Sequence, residues 1–252
     1  MHWGTLEHAW MMRTADYLGR IATGIYDGIG GDVLSAGHFL DRHRLNLFEA
    51  GRFEELAENI LFPEGYLPRI LRPSWYRRLA RSLALEQIVL ELPRHSAAAN
   101  PIGSFFFWNR TRRGAGLSAF TLLRRHCQVL APFLHGAVYS LLAALPVGMF
   151  LDHQFHTETI NEHYPQFAHL PYEDKTSRRD VETLFFRDAY GALLRIATDL
   201  TLRHIVRGEY VGAIALRSLL GSAKRADVVD LVSPLMYFAQ ISRLCDERPT
   251  IG

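Results

Sequence analysis

The residues with the most chemical potential lie together in one short stretch, GIYDGIGGDVLSAGHF, residues 24–39. Asp27 and Asp32 bracket Gly28, Gly30 and Gly31, directly after a β-branched and aromatic run and directly before a helical pattern. A strand, glycine loop and helix in this order present backbone N–H groups and a helix N-terminus at the carboxyl edge of a sheet, where anions bind. Gly28, Gly30 and Gly31 let the backbone come close to phosphate oxygens. Asp32 suits a magnesium ion bridging those oxygens, because Mg²⁺ takes one or two carboxylates plus substrate phosphates. The same residues also read as a plain turn in which Asp32 caps the following helix. Spacing alone does not separate the two.

Other candidates carry less. His153 and His156 stand at i, i+3 on one short helical stretch, with His163 two turns further on. A metal could use them, but a solvated polar face on a histidine-rich chain explains them as well. RTRR, residues 110–113, could meet phosphates or an acidic peptide, or be a solvated helix end. The run Phe105–Trp108 reads as core rather than a stacking platform. Glu64 lies in FPEGYLP, a turn by composition. Cys127 and Cys245 are far apart and in no ligand spacing, as expected of reduced, buried thiols in a cytoplasmic protein.

The elements that must position the loop are mostly helical. Residues 5–20 read as a helix, Ile21–Tyr26 is the best strand candidate, and the pattern from Asp32 to Phe48 is helical again. Phe53, Leu56, Ala57, Ile60 and Leu61 trace a second apolar stripe, broken by Pro63, Gly65 and Pro68. SWYRRLARSLALEQIVLEL reads as one helix ended by Pro93, and residues 117–128 and 133–145 as two buried helices. A short helix stops at Pro165. Residues 179–206 form the clearest helix, with Val181, Leu184, Phe185, Leu193, Ile196 and Leu200 on its apolar face. Helices over 211–221 and 226–246 complete the chain. One strand is not a sheet. Its partners either escape a periodicity reading or lie in chain not included in these residues.

Composition bounds the rest. A chain of 252 residues, 48% hydrophobic, buries a sizeable core, and it carries no internal repeat or obvious linker. A net charge of +2 with 21% charged residues gives no reason to expect nucleic acid as a partner. Of the 28 basic residues, 26 are arginines; a GC-rich bacterial genome accounts for this, and arginines gathered around phosphates are the alternative. The opening MHWGTLEHAW lacks the basic and apolar regions of a signal peptide. VLAPFLHGAVYSLLAALPVGMFL, residues 129–151, is long enough to span a bilayer, but Pro132, Pro146 and His135 interrupt it. A buried core helix is expected there, and no membrane.

YDGIGGDVLSAG resembles the loop of the asparagine synthetase C-terminal domain family, which runs strand, then Gly-x-Gly-x-Asp-Glu-Leu, then a small residue and Gly. Gly28, Gly30, Asp32, Leu34 and Gly37 match it. VLAPFLHGAVYSLLAALP resembles a second block of that family through Pro132, Phe133, Leu134, Leu145 and Pro146. HYPQFAHLPYEDK, residues 163–175, follows in the right order. The resemblance covers about residues 5–175, and 176–252 is a helical C-terminal extension of the same single, partial domain.

The resemblance implies the mostly helical part of an α/β adenine-nucleotide hydrolase-like (Rossmann-like, HUP-type) synthetase domain with few strands. It implies ATP-dependent amide formation: a small-molecule or peptide carboxylate becomes an acyl-adenylate, and an amine then attacks it. Relatives include β-lactam synthetases and lasso-peptide cyclases. ATP and Mg²⁺ are the implied cofactors, with Gly28, Gly30, Gly31 and Asp32 at the pyrophosphate and Asp32 on the metal.

The sequence departs from the pattern at chosen points. No Ser-Gly-Gly pyrophosphate loop occurs in these residues. Ile29 stands where active members carry Glu or Tyr, Val33 follows the loop aspartate, and His135 replaces the acid of the second block. His153, Gln154 and His156 occupy the region where a lysine balances phosphate charge. This chain alone is therefore not expected to adenylate. It is expected to pair with an N-terminal synthetase half, or with a second copy of itself. A degenerate, non-catalytic binding or assembly module is the alternative.

Overall fold

The computed structural model describes residues 9–61, 63, 65–167, 169, 181–221, 228, 231–232 and 234–239. It is mostly helical, with a small two-stranded parallel sheet. The chain divides into two compact units, one from His8–Phe62 and Ala84–Tyr172, the other chiefly from Pro63–Leu83 and Glu173–Gly252.

In the first unit α1 (Ala9–Ile21) leads into β1 (Gly24–Tyr26), shorter than the expected Ile21–Tyr26 because the helix runs on through Ile21. The helix expected over Asp32–Phe48 is two helices, α2 (Gly31–Leu34) and α3 (Arg42–Glu49). The first ends at its C-cap Ser35, and Gly37 follows at φ +67, where an added Cβ would run into the Phe150 carbonyl. Asp41 starts the second by accepting the Arg44 N–H at 2.8 Å. The cap of α2 is Gly30 in the left-handed region, not Asp32, which occupies the second helical position.

Next come α4 (Phe53–Ile60), α5 (Leu67–Ile70), α6 (Pro73–Leu79) and α7 (Arg81–Glu91). The single helix expected over 74–92 is thus two, because Ala80 takes an extended ψ of 143° between α6 and α7. From Pro101 one helical run continues through α8 (Pro101–Phe106), a π turn (Phe107–Thr111), α9 (Arg112–Leu117), a second π turn (Ser118–Leu122) and a 3₁₀ turn. The wide π turns cost regular bonding; the buried Thr111 hydroxyl has no partner. This run ends in β2 (Gln128–Leu130), so the helix expected over 117–128 gives way to an unexpected strand.

β1 and β2 pair in parallel, Gly24 with Gln128, Ile25 with Val129 and Tyr26 with Leu130. One sheet face turns Ile25 and Val129 inward, while Tyr26 and Leu130 on the other are 81% and 41% exposed. Parallel strands are normally covered on both faces.

A 3₁₀ turn (Pro132–Leu134) precedes α10 (Gly136–Ala144), and α11 (Gln154–His163) follows a second 3₁₀ stretch. The expected buried helix at 133–145 is corrected here: only Leu142 of α10 is buried, and Leu141 is 64% exposed. Among the described residues no single helix is long and apolar enough to cross a membrane. α10 and the helical stretch after it would qualify together but meet at a bend of 94°. The core of this unit gathers Val33, Leu34, Phe48, Leu56, Leu92, Ile102, Phe105 and Phe150. Each fully buried large side chain contributes roughly 1.5–3 kcal/mol.

The second unit packs Ile70 and Leu71 with Leu193, Ile196, Leu202, Val206, Val211 and Leu231. Besides α5 and α6, its helices among the described residues include α12 (Val181–Thr198) and α13 (Gly208–Leu219), and Leu71 bridges Val206 in an antiparallel pair. The helix expected over 179–206 stops at Thr198, where Asp199 accepts the Thr201 N–H and caps a new turn, leaving Leu200 exposed. Glu64, Cys245, the match beyond Phe167 save His169, and most of the expected helix at 226–246 lie outside the described residues.

Candidate functional site

The two sequence blocks that stood out, about a hundred residues apart, follow the two paired strands. Each strand ends in a turn and then a helix, so both turns leave from the carboxyl edge of the sheet. The ladder extends one bond past the strands, from the Asp27 N–H to the Leu130 carbonyl at 2.8 Å. Asp27 then folds back on its own loop, its Oδ1 accepting the Ile29 N–H at 2.8 Å. Gly31 N–H closes the turn on the Gly28 carbonyl at 3.0 Å.

Gly30 holds φ +90, a conformation that favours glycine. A Cβ on Gly31 would stand 2.7 Å from the Phe133 ring, and one on Gly30 would stand 3.2 Å from Leu134. The glycines therefore let the second turn close onto the first. Gly28 differs: it is exposed, and a Cβ there would meet nothing within 4 Å. Of the three glycines, Gly28 is the one whose bare Cα faces open space that a ligand's oxygens can use. Gly30 and Gly31 are buried as packing partners.

Asp32 is exposed, with Oδ1 accepting the Val33 N–H at 2.9 Å. Among the described residues no group of three or more His, Cys, Asp or Glu side chains is arranged to hold a metal. A lone exposed carboxylate fits Mg²⁺ only when phosphate oxygens supply other ligands. α2 is a single turn, so it offers little macrodipole; anion affinity here has to come from loop N–H groups.

Around this edge the histidines find structural work. His153 Nδ1 contacts the Ala36 carbonyl, and His156 Nδ1 lies 3.4 Å from the buried Ser35 hydroxyl, which itself donates to the Gly31 carbonyl at 2.8 Å. Asp152 and His153 both sit at positive φ, as does Phe39, so among the described residues the non-glycine positions in the left-handed region border the end of the glycine stretch. His163 closes α11. Of RTRR, Arg110 lies 4.8 Å over the Phe39 ring, Arg112 lies 5.3 Å over Trp108, and Arg113 donates to the Asn109 carbonyl. Phe105, Phe106 and Phe107 are core, as expected, while Trp108 is half-exposed beside Tyr139 of α10. Burial pushes the Tyr139 phenol above its ordinary range, and a hydrogen bond from Trp108 pulls the other way.

A second polar cluster went unread in the sequence. His95 is buried, its Nδ1 2.8 Å from the Ser104 hydroxyl and its Nε2 3.5 Å from Asn109 Nδ2 and 3.6 Å from Glu91 Oε1. Burial holds the imidazole below its ordinary value, with Glu91 opposing. The spacing of Glu91 and His95, i and i+4, was the available signal. No family model, curated protein or solved structure matches the chain.

Proposed function

We propose that this chain is the loop-bearing, C-terminal portion of an ATP-dependent amide-forming synthetase of the asparagine-synthase kind, built on an α/β adenine-nucleotide hydrolase-like sheet. One observation carries the reading. The two blocks that resemble that family are the two that meet at the carboxyl edge of a parallel strand pair. Open α/β sheets bind their ligands outside the carboxyl ends of their strands.

In the proposed reaction a substrate carboxylate oxygen attacks the α-phosphorus of ATP and pyrophosphate leaves. An amine nitrogen then attacks the acyl carbon of the adenylate, and AMP departs with the amine proton transferred away. The Gly28 side of the loop would line the pyrophosphate, and Asp32 would hold Mg²⁺, whose charge would offset that of the phosphates when bound. These residues position and neutralise; they move no proton, because Ile29 has nothing to give or take. The Ser-Gly-Gly-x-Asp-Ser loop that would complete the pyrophosphate pocket is supplied by another segment or chain. The open sheet face at Tyr26 and Leu130 is consistent with such a neighbour.

A second reading is favoured by a separate observation: Ile29, Val33 and His135 remove polar or acidic groups at three matched positions. On that reading the chain is a non-catalytic binding or assembly module. The test is exchange of labelled pyrophosphate into ATP, with a segment carrying the missing loop added. Exchange that needs both parts and is lost in Asp32→Ala supports the synthetase. Complex formation without exchange supports the module.

A further inference from the structure

Apart from the sheet edge, the first unit carries a groove of about 350 Å³ between α4 and α7. Glu54 and Glu58 form one wall, Glu86 and Leu90 the other, and Leu85 and Val89 the floor. The spacing explains the shape. Each pair is separated by four residues on its own helix, so each makes a ridge one turn long. Six residues line it: three are carboxylates, three are aliphatic, and none is basic. Leu90 is 58% exposed at the rim, and Leu85 and Val89 beside it are only partly buried.

We propose that this groove binds a basic amphipathic helix of another protein. An apolar floor flanked by carboxylates accepts the apolar face of a helix, read as anchors at i, i+3 and i+4. Carboxylates on both walls select Lys or Arg on either side of that face. The aliphatic stems of those side chains cover Leu90 and Val89 while the charged heads reach the glutamates. A second copy presenting the same groove is the wrong occupant, because it would set three glutamates against three glutamates. An acidic helix would set its own carboxylates against Glu54 and Glu86. The charge pattern therefore identifies the class of partner.

The probe is a fluorescein-labelled 16-residue helical peptide with Leu at i, i+3, i+4 and i+7 and Arg on both flanks. A peptide of identical composition, scrambled so that no apolar face forms, is its control. Fluorescence anisotropy is read with the full chain. Expected are saturable binding of the amphipathic peptide, at least tenfold weaker binding of the scrambled one, and weakening with added salt. Glu54→Lys with Glu86→Lys lowers affinity at least tenfold, and so does Leu90→Glu. Glu86→Gln, which leaves shape intact, lowers it about threefold and guards against misfolding of the reversed variants. Equal binding of both peptides, or binding unmoved by all these substitutions, overturns the proposal. So does sedimentation showing a dimer that Leu90→Glu dissolves, because a second copy would then hold the groove.

Discussion

Gly31→Ala is the sharpest probe of how the two turns are joined. The new methyl would stand 2.7, 2.9 and 3.0 Å from three atoms of the Phe133 ring, where ordinary contact begins at 3.4 Å. The ring must retreat by about 0.7 Å on this comparison, and it is packed against the core of the first unit. Overpacking of this kind costs about 1–3 kcal/mol. Replacing a helical glycine by alanine returns up to about 1 kcal/mol. The expected net loss is about 1–2 kcal/mol, a fall in Tm of roughly 2–8 °C for a unit of this size. The assay is a double-mutant cycle with Phe133→Leu, read by chemical denaturation of all four proteins. Removing the ring should relieve the clash, so the cycle should report a coupling of about 1–2 kcal/mol. Gly28→Ala, whose methyl meets nothing within 4 Å, should change stability by less than about 0.5 kcal/mol. A coupling within about 0.3 kcal/mol of zero would show that Gly31 and Phe133 do not touch, and the shared edge would fail with it.

Further outcomes follow from the same geometry. Gly37→Ala combines φ +67 with a blocked approach to the Phe150 carbonyl, whereas Gly51→Ala has the same φ and open space. The first should be at least about 1 kcal/mol more destabilising than the second, whose cost is the left-handed strain alone of about 1–2 kcal/mol. Asp41→Ala removes the cap of α3 and should cost about 1 kcal/mol, seen as a lower denaturation midpoint with unchanged slope. His95, held below its ordinary pKa by burial, binds its proton more readily unfolded than folded. Stability should therefore fall as pH drops through the unfolded value near 6.5 and level off below the lowered folded value, with a slope of at most about 1.4 kcal/mol per pH unit. His95→Gln should flatten that part of the stability–pH curve, and a curve unchanged by the substitution would remove His95 as its source.

The loop was legible because its signal is local: glycines, aspartates and the strand before them are read within a dozen residues. Its helix was misjudged. Apolar periodicity ran on from Val33 to Phe48, but Gly37 and Asp41 punctuate it, and their roles depend on Phe150 and on the Arg44 N–H. β2 escaped because three residues show no period, and because the helical pattern before it absorbs two π turns that no 3.6-residue template separates. α10 read as buried from composition alone; its apolar residues are spread around the helix, so only Leu142 is buried while Val138 and Tyr139 pack partly exposed against the core. The histidines at 153 and 156 suggested a face or a metal, and their contacts with Ala36 and Ser35 needed the third dimension. What no single-sequence reading supplies is the meeting of Gly31 with Phe133. That is a long-range contact, marked in the sequence only by a glycine that must be small.

Isothermal titration with magnesium pyrophosphate, run on the chain with a segment carrying the Ser-Gly-Gly-x-Asp-Ser loop added, tests most directly the proposal that the glycine loop and Asp32 form part of a pyrophosphate and magnesium site. Expected is saturable binding that requires Mg²⁺ and weakens at least tenfold, about 1.4 kcal/mol, in Asp32→Asn, with the thermal midpoint unchanged because Asp32 is exposed. Binding that is equally strong in Asp32→Asn, or that persists without Mg²⁺, would contradict it.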